Sequence, residues 1–162
     1  MLNYEDVSNM LSEVGPKLDV VEISGIEEDD AWFVVLDEDG DYGVELYHDG
    51  TNGKLVFSAE IGSPPEDVLH SVCMDMLALN LGWQDTAGAR IARDPDSGEF
   101  VLLQDVVLYE LTSVDLQNAI ASFAQAAVGL RALVATGRSE SDDEETQSSA
   151  VSDEDGPPII RV

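Results

Sequence analysis

The chain has 162 residues, of which 34 are acidic and 7 are Lys or Arg, so its formal net charge is −27. This length predicts one domain, and so negative a surface excludes nucleic acid and anionic lipid as partners, since both bind through Lys and Arg. We expect a cytoplasmic protein, because the first residues lack the basic and apolar segments of a signal peptide and no apolar run approaches the roughly 20 residues that span a bilayer.

The first half of the chain predicts one helix followed by a meander of three antiparallel strands. Asn3 can cap a helix that continues to about Val14. Residues 18–23 fit either a short strand or an extended loop. The strand-like runs of the meander cover residues 32–36, 42–47 and 55–61, and turn-forming residues separate them.

The middle of the chain predicts a second helix. Ser63 and Glu66 have the spacing of a capping box, with Pro64 at the first helical position, and Gly82 supplies the stop. Apolar residues repeat along this helix at four-residue spacing. Its Cys73 is the chain's single cysteine, so it cannot form an intramolecular disulfide, and it reads as a small core residue in a reduced protein.

The last part of the chain predicts two strands, a third helix and a tail. Strand-like runs at 90–94 and 100–108 flank a turn, and an Ala-rich helix starts near Thr112. We assign residues 1–137 to one domain. Residues 138–162 carry 8 acidic and 2 basic side chains and predict a disordered tail, whose apolar end either docks on a groove or is a simple terminus.

The sequence contains no set of residues that predicts catalysis, a cofactor or a metal site. His48 and His70 have no Cys or second His at metal-ligand spacing. The acidic run at 37–41 begins like a calcium loop, but Tyr42 stands where the loop needs Gly, and the twelfth position is not Glu. We therefore predict a binding protein with no cofactor rather than an enzyme, and a calcium-responsive protein remains the weaker alternative.

The order helix, three-stranded meander, helix, two strands, helix resembles the class I type III secretion chaperones, the family typified by the Tir chaperone. The segments that carry the resemblance are LALN at 77–80, GEFVLL at 98–103 and VLYEL at 107–111, and it extends over residues 3–135. The resemblance implies an α+β fold and a homodimer in which the middle helix, about 64–81, forms much of the interface. Candidate interface residues are Val72, Met76 and Leu79.

The resemblance also implies a function in virulence: a cytoplasmic chaperone that binds the N-terminal segment of a secreted effector and keeps it soluble and export-competent. Such an effector adds strands to sheet edges and places apolar side chains in grooves. The 32–36 run has more apolar side chains than one buried face requires, so Trp32, Val34, Leu36 and Val56 are candidate effector-binding residues. The alternative for the 32–36 run is a strand that helices cover on both sides. The alternative for the function is a regulatory protein-binding domain that has the same fold but is unrelated to secretion.

Overall fold

A six-stranded antiparallel sheet and three α-helices make up the fold in the computed structural model, which describes residues 2–18, 22–36, 43–82, 84, 86 and 88–137. In chain order the elements are α1 (Tyr4–Val14), β1 (Glu22–Ile26), β2 (Ala31–Val35), β3 (Gly43–Asp49), β4 (Lys54–Gly62), α2 (Leu69–Leu81), β5 (Arg90–Arg93), β6 (Phe100–Val107) and α3 (Ser113–Thr136). The predicted α+β class is confirmed.

The strands lie in the order β1-β2-β3-β4-β6-β5, with every neighbouring pair antiparallel. The meander therefore has four strands rather than three, because part of the ambiguous segment at 18–23 belongs to β1. Strands β5 and β6 form a hairpin that joins the meander through β6. This order leaves β1 and β5 as the two edges of the sheet.

One face of the sheet, called here the inner face, carries the core. On β4 the inner residues Leu55, Phe57, Ala59 and Ile61 are buried, whereas Val56, Ser58 and Glu60 between them are not. This alternation is the period of two expected of a strand with one covered face. Helix α3 packs on the inner face, where the Phe57 and Phe123 rings meet edge to face at 5.5 Å between centroids.

Local capping signals fix the starts of α1 and α3. The Asp6 N–H donates to Asn3 Oδ1 (2.9 Å) and the Asn3 N–H to Asp6 Oδ2 (3.0 Å), and Thr112 and Asp115 make the equivalent box before α3. The box predicted at Ser63 and Glu66 is wrong, since α2 starts only at Leu69. Two consecutive prolines explain this, because the second proline disfavours the helical conformation of the first.

Helix α3 qualifies the expectation that no apolar run approaches a membrane span. It has 24 residues and is long and apolar enough to cross a membrane by length and composition alone. However, Leu116, Ile120, Phe123, Ala127 and Val134 repeat along one side of the helix and are buried in the core. This is the arrangement of a core helix in a folded domain.

Candidate protein-binding surfaces

The edge strand β1 is available for pairing with another strand. Its backbone pairs with β2 on one side, and no described residue outside β2 bonds to it on the other. Ile26 at its end is 49% exposed. A strand edge with free N–H and C=O groups is the site that extended peptides use when they add to a sheet.

Two of the predicted effector-binding residues are buried in the core on the inner face of the sheet. The Trp32 ring stacks on Tyr4 with 4.5 Å between centroids, and Trp32 Nε1 donates to Ser8 Oγ (2.9 Å). Val34, two residues along the same strand, is fully buried. Trp32 could meet a partner only if α1 moved, and burial on the inner face accounts for both side chains.

The other two predicted effector-binding residues are half-buried. Leu36 packs at the margin of the core, and Val56 lies on the outer face of the sheet. There Val56 shares the surface with half-buried apolar residues that sequence reasoning missed, namely Phe33, Val35, Val101 and Leu103. The period-two alternation of β4 and β6 was the signal that could have revealed this second apolar face.

Acidic side chains border these apolar residues on the outer face. In the strand register Phe33 lies opposite Glu45, and Val56 lies opposite Asp105. Asp105 accepts hydrogen bonds from Lys54 Nζ (2.7 Å) and Arg90 Nη2 (2.9 Å), so it links β4, β6 and β5. The hydrogen bond from Lys54, and then that from Arg90, holds the pKa of Asp105 below its usual value. The outer face thus combines apolar and acidic side chains.

Helix α2 presents apolar side chains on two sides. The predicted interface residues Val72 and Met76 are buried in the core of the domain, at 0% and 2% exposure. Leu79, the third, is half-buried. The exposed apolar side chains of α2 are Met74 (54%), Leu77 (63%) and Leu81 (85%), which we call the α2 stripe. Exposed apolar side chains grouped in this way are typical of a surface that binds another protein.

A cavity of about 440 Å³ lies between the end of α2, the β5–β6 hairpin and α3. Its walls are mostly apolar and include Leu79, Ile91, Leu102 and Phe123. It is within the size range of ligand sites, but none of the described residues that line it is charged and could orient a substrate. Chemically, therefore, the cavity suits the packing of apolar groups.

Catalytic or metal-binding groups do not converge in the described part of the chain. No group of three or more His, Cys, Asp or Glu residues there could hold a metal ion. His48 lies in β3 and His70 is exposed on α2. The calcium-like run at 37–41 lies outside the described residues.

Comparisons with known proteins agree with this geometry. One chain of the ExsC-ExsE complex superposes with a TM-score of 0.68 at 18% sequence identity, covering 85% of this chain and all (100%) of that one. One chain of the HopA1-SchA chaperone-effector complex superposes with a TM-score of 0.61 at 16% identity, covering 82% of this chain and 99% of that one. At these identities the likeness shows the fold. Among curated proteins, none matches the sequence.

Family membership follows from the sequence model of the Tir chaperone protein (CesT) family, which matches residues 11–131. The match runs from α1 through most of α3 and so includes all six strands and the α2 helix. It therefore covers the open edge, the apolar outer face and the α2 stripe in one continuous segment. The chain belongs to the Tir chaperone (CesT) family.

Proposed function

We propose that this protein is a cytoplasmic chaperone that binds the N-terminal segment of a type III secreted effector and keeps that segment soluble and competent for export. Family membership supports the class, and one of its structural neighbours is a chaperone-effector complex. The described surfaces suit binding rather than chemistry. The chaperone would act by binding alone, without a cofactor.

The open β1 edge is the observation that carries this proposal. An extended effector segment that pairs with β1 would satisfy the strand's outer backbone groups and its own at the same time. Side chains on alternate positions of that segment would then reach the outer face, where Phe33 and Val35 lie on the neighbouring strand β2.

Charge gives the expected composition of the segment. Residues 1–137 alone hold 26 acidic and 5 basic side chains, and two of those basic residues, Lys54 and Arg90, are already paired with Asp105. Such a field attracts a basic segment and accelerates its capture. We therefore expect an effector segment with apolar residues at alternate positions and Lys or Arg nearby.

The α2 stripe supports the dimer that the sequence predicts. Met74, Leu77 and Leu81 follow one another at spacings of three and four, so they lie along one side of the helix. Burying a large apolar side chain stabilises by about 1.5–3 kcal/mol. A second copy of α2 laid against this stripe would cover all three residues on both protomers.

A pull-down from the protein's own bacterium, read by mass spectrometry, tests the proposed function. We expect the tagged chain to capture a secreted protein, and the N-terminal segment of that protein to be sufficient for capture. Capture of non-secreted proteins alone would instead support a regulatory domain of the same fold. A captured secreted protein that binds equally well without its N-terminal segment would contradict the proposal.

A matched pair of variants tests the role of the β1 edge in the same experiment. Ile26→Glu places a charge on β1, and Val128→Glu places the same charge on α3 at a position of similar exposure, 54% against 49%. We expect the first to reduce capture at least tenfold and the second to leave it unchanged. Equal capture by both variants would exclude the β1 edge as the binding site.

A further inference from the structure

The second edge of the sheet, β5, is closed at Ile91 by a side chain of α2. Asn80 Nδ2 donates to the Ile91 carbonyl (2.9 Å), and the Ile91 N–H donates to Asn80 Oδ1 (2.8 Å). These are the two bonds that a neighbouring antiparallel strand would make with Ile91. The Asn80 amide therefore occupies the pairing groups of this edge residue in place of a strand.

Ala89, which lies two positions earlier and directly before β5, is bonded as well. The Ala89 N–H donates to the Thr86 carbonyl (2.9 Å), and Thr86 Oγ1 donates to the Ala89 carbonyl (3.1 Å). Backbone groups on an antiparallel strand point outward at every second residue. Ala89 and Ile91 are thus consecutive outward-facing positions, and both are already bonded, in contrast to the outer side of β1.

We propose that Asn80, assisted by Thr86, protects the β5 edge against strand addition, so that an extended polypeptide pairs at β1 instead. The protection acts against a second copy of this chain as well as against a secreted partner. Closure of β5 stands on its own geometry, whereas the choice of β1 by the secreted partner rests on the proposed function. Asn80 would be a specificity-determining residue that acts by exclusion.

The surroundings of Asn80 favour this role. It is a half-buried polar residue among Leu77, Leu79 and Leu81, at the margin of the apolar cavity. A buried amide costs free energy unless its hydrogen bonds are made, and both of its polar atoms are satisfied by Ile91. An apolar residue would fill the same position without closing the edge, and this difference makes the inference testable.

The experiment compares Asn80→Leu with the wild-type chain by hydrogen exchange and by sedimentation velocity over a range of concentrations. The variant keeps the side-chain size but loses both bonds. At low concentration, where the variant is not self-associated, we expect exchange of the Ile91 amide to rise at least tenfold relative to amides of β4. At higher concentration we expect the variant to form larger species than the wild type. The control Leu130→Ala changes another residue that lines the same cavity and keeps both bonds, so it should show neither change.

Adding Ile91→Pro to Asn80→Leu separates edge pairing from general destabilisation. The Ile91 N–H points away from β6, so proline removes a pairing group without breaking a bond between β5 and β6. We expect the double variant to return to the wild-type size distribution. An Asn80→Leu protein with wild-type size and a protected Ile91 amide would overturn the inference, and so would self-association that survives the proline.

Two further measurements keep the outcome decisive. If Asn80→Leu does not fold, Asn80→Asp keeps the acceptor for the Ile91 N–H and loses the donor, and it should show smaller changes in the same direction.

In a complex with the secreted protein identified by the pull-down, we expect protection of β1 amides and unchanged exchange in β5. New protection at β5 would refute the closed edge and leave the proposed chaperone function intact. Failure to capture any secreted protein would contradict the chaperone function and leave the closed edge intact.

Discussion

At the scale of single residues, Trp32 joins α1 to the sheet by a ring contact and a hydrogen bond. Its ring stacks on Tyr4, and its indole N–H is bonded to Ser8, one turn further along the helix. Trp32→Ala should lower the free energy of unfolding by about 3–5 kcal/mol because a large buried side chain is lost. Trp32→Phe keeps an aromatic ring but loses the hydrogen bond, and should cost about 1 kcal/mol from that bond.

Urea denaturation of the two Trp32 variants checks this prediction, with partner capture measured on each protein that remains folded. Because Trp32 is 3% exposed, we expect the folded Phe variant to capture its partner normally. A Phe variant with wild-type stability and lost capture would show that Trp32 contacts the partner directly.

Asp105 gives a prediction that depends on pH. Its pKa is lowered in the folded protein, so its pairing stabilises the fold above the ordinary carboxyl pKa of about 4, and this contribution is lost as the pH falls through the lower folded value. Since the site is partly exposed, we expect Asp105→Asn to cost about 0.5–1 kcal/mol at pH 7 and less at pH 3.

Urea unfolding at the two pH values measures the Asp105 effect. Asp67→Asn is the control, since it makes the same charge change at an exposed position with no ion pair among the described residues. A cost for Asp105→Asn that stays constant between pH 7 and pH 3 would contradict the assignment.

At the scale of elements, the proposed dimer depends on α2. Leu77→Asp places a charge in the middle of the α2 stripe without touching the core, so we expect it to convert the dimer into a monomer with little change in the thermal unfolding of each protomer. Val72→Ala should act in the opposite way, destabilising the protomer by about 1–3 kcal/mol while its α2 stripe stays intact.

Light scattering coupled to size-exclusion chromatography distinguishes these outcomes. Val128→Asp, which puts the same charge on α3, is the matched control and should remain dimeric. A dimeric Leu77→Asp protein would place the interface elsewhere on the molecule.

The elements also show which features the sequence could predict. Strong local signals located α1, α3, β3 and β4, because a capping box or a regular alternation of apolar residues depends on neighbours in the chain. The predicted start of α2 is wrong, since the helix begins only at Leu69. Pro64 alone would favour a first helical position, but Pro65 disfavours the helical conformation of the residue before it.

The surfaces were harder to predict than the elements. Apolar residues lie all around α2, so spacing alone could not separate the core residues Val72 and Met76 from the exposed Leu77. The same holds for the continuous apolar run of β2, where the cover over Trp32 comes from α1, an element distant in sequence. The bond between Asn80 and Ile91 likewise depends on how α2 meets the sheet, which no local pattern encodes.

At the scale of the whole molecule, the net charge of −27 should govern how fast a basic partner is captured. Salt shortens the range of electrostatic attraction from about 10 Å at 0.1 M to about 3 Å at 1 M. We therefore expect the association rate constant, measured by stopped flow, to fall at least tenfold between these salt concentrations, with a smaller change in the dissociation rate.

A chain truncated after residue 137 tests where that attraction originates. It keeps a net charge of −21, so it should retain most of the salt dependence. Loss of the salt dependence on truncation would assign the electrostatic attraction to residues 138–162 instead of the folded domain.

Coexpression of the chain with the N-terminal segment of its secreted partner is the most direct test of the proposed chaperone function. We predict that the segment is insoluble when expressed alone, soluble when coexpressed, and co-purifies in a stable complex with the chain. Ile26→Glu should return the segment to the insoluble fraction, whereas Val128→Glu should not. A segment that remains equally insoluble with and without the chain would contradict the proposed function.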